Sequence, residues 1–151
     1  MAKDETKEER LDRELEEMLQ ELRVALPGVQ ILFAFLLTVP FNNRFERVTE
    51  LQKDVYFIAL LAALASITCL IAPTAFHRIR FREYDKEALV VAGTWLARIG
   101  LVFLALALIA CVFFVTDFIF DSATATVVAA AGGLALVGLW FVIPIARKVN
   151  D

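Results

Sequence analysis

Three groups of polar residues stand out in an otherwise apolar chain, and the residue types in each name a chemistry. Glu21 and Arg23 stand just before the first apolar run, Gln30 lies one to two helical turns into it, and Thr94 and Arg98 sit at the entry to the third. A carboxylate, an amide, a hydroxyl and a guanidinium at one depth can form a charge-assisted network, and charge inside a membrane is costly enough to mark function by default. Two readings follow for Arg98: it pairs with Glu21 or hydrogen-bonds Gln30, tying the first and third helices together, or it extends to lipid headgroups. Asp117 and Asp121 form the second group, in an outer loop. Around an axis of several copies they would make an acidic ring for cations, whereas the commoner role of exposed aspartate is a solvated loop residue. The third group is the run from His77 to Arg82, in which Arg78, Arg80 and Arg82 suit anionic lipid headgroups.

Other chemistries lack their residues. The single histidine, His77, stands among arginines with no metal-ligand spacing around it, so neither a metal nor a cofactor is expected. No Gly-rich phosphate loop, nucleophile elbow or paired-carboxylate signature occurs, and the expectation is that the protein is not an enzyme. Basic residues beside the inner end of a span follow from topology alone, so no nucleic-acid partner is expected either.

The elements that position these groups are helices in a membrane. Hydrophobic residues make up 60% of the 151 and the mean hydropathy is +0.69, above the roughly 45–50% of soluble domains. Leu11, Leu15, Met18, Leu19 and Leu22 recur at helical spacing, with mostly glutamates elsewhere on the wheel, which predicts an amphipathic helix over 1–23. That acidic face would be repelled by anionic lipid, so the leucine stripe is expected to pack on the protein's own surface. Spans follow at about 24–41, 55–76, 97–116 and 127–145, then a tail over 146–151. Pro27 is expected to bend or break the chain between the amphipathic helix and the first span. The third apolar region, from Ala88, is about 43 Å long as one helix and exceeds a bilayer core, so 85–96 is expected to project and to be covered by the leucine stripe. Small residues from Ala129 to Gly138 make the fourth span the candidate for tight helix packing.

Charge by loop sets orientation. With the N-terminus inside, 12 of the 15 Lys and Arg residues fall on the inner side, and only Arg44, Arg47 and Lys53 lie outside. Both termini are therefore expected in the cytoplasm of a multi-pass inner (plasma) membrane protein. The charged N-terminal stretch has no signal-peptide pattern, so the mature chain is expected to start near Met1. Cys69 and Cys111 fall toward opposite ends of their spans, too far apart for a disulfide.

The stretch Glu21-Leu-Arg-Val-Ala-Leu-Pro-Gly-Val-Gln-Ile-Leu-Phe-Ala-Phe-Leu-Leu37, preceded by Arg10-Leu-Asp-Arg-Glu-Leu-Glu-Glu17 and followed later by His77-Arg78, resembles a family of small actinobacterial membrane proteins grouped as a domain of unknown function. The resemblance covers essentially the whole chain and implies four inner-membrane helices. Some members carry a sodium/proton antiporter label. Proton relays usually use embedded carboxylates or histidines, and mid-span this chain offers only Thr38, Ser66, Thr68 and the cysteines.

The expected fold is an all-α membrane helical bundle, four transmembrane helices plus an N-terminal amphipathic cytoplasmic helix. The expected function is that of a non-enzymatic oligomeric or accessory membrane subunit, in contact with membrane lipids and with its own copies or a partner membrane protein. The alternative is a homo-oligomeric ion channel or small transporter.

Overall fold

A computed structural model describes residues 6–79 and 86–143, and over these the chain is all-helical. The first helix, α1, spans Lys7–Thr38 and starts at a capping box. The Glu9 amide donates to the Thr6 hydroxyl at 3.3 Å and the Thr6 amide donates to the Glu9 carboxylate at 2.9 Å, so two orphan donors are satisfied reciprocally. Contrary to the expected break, α1 runs unbroken through Pro27. A proline removes one helical hydrogen bond, here the one to the Arg23 carbonyl. Leu22 and Leu26 before it and Val29 after it lie in one hydrophobic cluster, and that shared packing keeps the two halves in one helix.

Two short 3-10 turns, Val39–Phe41 and Asn43–Arg47, lead to α2, Glu50–Ile79. Next come α3, Lys86–Ile119, and α4, Ser122–Val137, which continues as a π-turn over Gly138–Val142. Four helices are long and apolar enough to cross a membrane. At 32, 30 and 34 residues, α1, α2 and α3 reach about 45–50 Å each and overrun a bilayer core of about 30 Å.

Lys7 of α1 and Glu87 of α3 lie at one end of the bundle, the near end. There Leu15, Met18 and Leu22 of α1 are buried in one cluster with Leu70 of α2 and Val90 of α3, and Leu89 and Ala97 pack against it. An ion pair from Lys7 to Glu87 joins the starts of α1 and α3. The leucine stripe thus packs against the start of α3.

At the opposite, far end a second cluster joins Leu36, Tyr56, Ala59, Ala62, Ala63, Ala107 and Ala110. Small residues dominate where α2 meets α3, which lets the backbones approach closely. Ser66, fully buried, donates its hydroxyl to the Gly100 carbonyl at 2.8 Å. Within the chain, the most extensive helix–helix contact lies between α2 and α3. Helix α4 packs on α3 alone among the described elements, through Ala125, Ala129 and Gly133, while Gly132 and Gly138 face open space.

The end of α4 is wound more widely than an α-helix. Ile143 donates to the carbonyl of Gly138, one residue further back than in an α-helix.

Candidate functional site

At the near end, one stripe of α3 faces inward: Val90, Gly93, Ala97 and Gly100, at coiled-coil spacing. Trp95 and Arg98 project from the other side and are exposed. The Arg98 guanidinium lies 5.8 Å from the centroid of the Trp95 ring, a cation–π contact within the helix. Thr94 donates its hydroxyl back to the Val90 carbonyl at 2.8 Å. Glu21, Arg23 and Gln30 are exposed on α1, and none forms a side-chain hydrogen bond or ion pair among the described residues. Of the two readings for Arg98, the tie to Glu21 or Gln30 is not formed among the described residues. What joins α1 to α3 here is Met18 against Gly93, the surrounding apolar cluster, and the Lys7–Glu87 pair.

At the far end the two aspartates have structural partners. Thr49 and Gln52 form a capping box that starts α2: the Gln52 amide donates to the Thr49 hydroxyl at 3.3 Å, and the Thr49 amide donates to Gln52 Oε1 at 3.1 Å. The buried Gln52 then donates through Nε2 to Asp117 at 2.7 Å. The other oxygen of Asp117 accepts from the Ser122 hydroxyl. One carboxylate thus links the start of α2, the end of α3 and the start of α4. Asp121 caps α4, accepting from the amides of Ala123 and Thr124 at 3.0 and 2.9 Å and from the Thr124 hydroxyl at 2.9 Å. The Thr124 amide and hydroxyl lead the hydrogen bonds that hold its carboxyl below the ordinary aspartate range. Within one chain both aspartates hold helix ends in register.

Pro40 leaves a mark nearby. In a continued helix the amide of residue 40 would donate to the Leu36 carbonyl, and proline has no N–H. The buried Tyr56 hydroxyl supplies a donor at 2.9 Å, alongside the Val39 amide. Phe45 sets its ring edge-on to Tyr56 at 5.5 Å and Phe114 lies on it at 5.9 Å, so the first loop is bound to α2 and α3.

Between the two ends the polar groups are spent on backbone. Thr38 donates to Phe35, Ser66 to Gly100 and Thr68 to Leu64, and no buried side-chain nitrogen or oxygen among the described residues lacks a partner. Cys69 and Cys111 are unbridged and half-buried. Arg78 falls in the last turn of α2, whereas Arg80 and Arg82 lie outside the described residues.

Gln52 is the residue that sequence reasoning missed. Its signal was present as Thr49-x-x-Gln52, the pattern of a helix start, inside a segment whose alternating charges read as a loop. The Gly93 and Gly100 pair, seven residues apart, was an equally available sign of the inward face of α3.

A family model described as a family of unknown function (DUF6328) matches residues 4–144. No curated protein and no solved structure matches the chain.

Proposed function

The chain belongs to the DUF6328 family of unknown function, and from that premise we propose that it is a multi-pass protein of the inner (plasma) membrane with both termini in the cytoplasm, acting as a non-enzymatic subunit of an oligomer or of a larger membrane complex. The observation that carries this reading is the distribution of apolar surface. Only 11% of the apolar stretch of α1 and 17% of that of α4 is buried within the chain, against 33% for α2 and 33% for α3. Surfaces of that extent are stable in lipid or against another chain, not in water. The two outer helices are the ones with faces left to give. Orientation rests on the charge asymmetry between loops.

Native mass spectrometry of protein extracted gently from its own membrane tests the proposal. A closed homo-oligomer or a stoichiometric partner supports it, and a bare monomer overturns the subunit role. Ion flux in proteoliposomes made from the chain alone would replace it with the channel reading. Against that reading, the mid-bundle hydroxyls of a single chain are already engaged, so a pore would have to be built between copies.

A further inference from the structure

The far end holds a cleft of about 250 Å³ between the first loop and α3. Its walls are mostly apolar: Val39, Phe45 and Val48 on one side, and Phe114 and Phe118 on the other. Two polar residues complete it, Asn42 and Arg44. Asn42 is held in place, because its side-chain oxygen accepts from the Arg44 amide at 3.0 Å and caps the second 3-10 turn. Arg44 is exposed and forms no ion pair among the described residues. No carboxylate lines the cleft and none pairs with Arg44 among the described residues; Asp117 is held by Gln52 and Ser122, Asp121 by the start of α4 and Glu50 by Lys53, while Glu46 in the same turn is exposed and outside the lining. A guanidinium outside any ion pair at the edge of an aromatic cleft is complementary to an anion that carries an apolar body.

Size and depth choose among such anions. Sites that enclose a soluble small molecule are about 300–1,000 Å³ and bury most of the ligand, so this cleft holds only part of one. Phe114 and Phe118 lie where the apolar stretch of α3 gives way to Thr116 and Asp117, and Phe41, Phe118 and Phe120 are exposed around them. In a membrane that level is the headgroup boundary, where aromatic rings concentrate.

We propose that the cleft is a specific site for an anionic phospholipid, whose phosphate pairs with Arg44 beside the Asn42 amide while the first part of an acyl chain lies on Phe45, Phe114 and Phe118. The remainder of the lipid stays in the bilayer. This inference rests on the membrane reading proposed above.

The test uses the full chain, purified in mild detergent, with native mass spectrometry after addition of phosphatidylglycerol or phosphatidylcholine. The unaltered protein should retain phosphatidylglycerol in preference to phosphatidylcholine. Arg44→Gln should reduce that retention about tenfold, as loss of a charge-assisted bond to phosphate predicts. Arg44→Lys should restore part of it. Arg47→Gln, one turn further along and outside the cleft, should leave it unchanged. Equal losses from Arg44→Gln and Arg47→Gln, or equal retention of the two lipids, would overturn the site. So would binding of dodecyl phosphate without phosphatidylglycerol, which would make the ligand a free amphiphile. Recovery of the chain from cells without detergent would overturn the membrane reading itself, before any lipid is added.

Discussion

The Ser66 hydroxyl and the Gly100 carbonyl meet at 2.8 Å across the α2–α3 contact, and the absence of a side chain at position 100 is what permits it. A Cβ added there would sit 2.8 Å from Leu70 Cγ and Cδ2 and 3.3 Å from Cys69 Cβ. Leu70 is 1% exposed and has nowhere to go. Overpacking of this kind costs about 1–3 kcal/mol, offset by about 1 kcal/mol of helix propensity. Gly100→Ala is expected to lower the thermal unfolding midpoint in detergent. At Gly93 the added atom would meet the flexible end of Met18, so Gly93→Ala should fall well short of that loss. Equal midpoints for the two variants would refute the difference between a rigid and a yielding neighbour.

Tyr56→Phe removes the hydroxyl that donates to the Leu36 carbonyl and leaves the ring in its aromatic setting. The expected loss is about 1 kcal/mol, since the Val39 amide still serves that carbonyl. Hydrogen exchange at the end of α1 should rise with it. A variant as stable as the parent would show that the Val39 amide alone suffices.

Replacing Leu15 and Leu19 with Glu places charge in the cluster that joins α1 to the start of α3. Limited proteolysis near residues 83–97 should then accelerate, read from the masses of the fragments. Unchanged cleavage would mean that α1 does not shield this segment.

The Asp121 carboxyl is held below its ordinary value of about 3.8 in the fold. Its contribution is therefore complete above that value and is lost as pH falls through its lower folded value. Asp121→Ala should reduce thermal stability at pH 7, Asp121→Asn should do so less because an amide oxygen still caps a helix, and the gap between parent and Asp121→Ala should narrow in acid. A gap independent of pH would assign the effect to the shape of the side chain instead of its charge.

The parts of the fold legible in the sequence are those with a period. Leu15, Met18 and Leu22 recur at helical spacing, and the structure buries all three, whereas Glu16, Glu17 and Glu21 among them are exposed. Helix α3 is apolar on nearly every face, so no period distinguishes its sides, and the outward direction of Arg98 could not be read. Only the two glycines at 93 and 100 carried that information. At Pro27 a local rule predicted an interruption, yet contacts distant in sequence kept the helix whole. The bond from Gln52 to Asp117 spans 65 residues and depends on how three helix ends converge, which the local pattern around either residue does not encode.

Helix α4 leans on α3 and on no other helix among the described elements. During synthesis the N-terminal parts of a chain emerge first, so α1, α2 and α3 have all their mutual surfaces before α4 leaves the ribosome. The fourth helix joins a structure that is already closed, with Asp117 waiting at its entrance to take Ser122. Its departure would take the α3–α4 contact alone and leave every contact among α1, α2 and α3 in place.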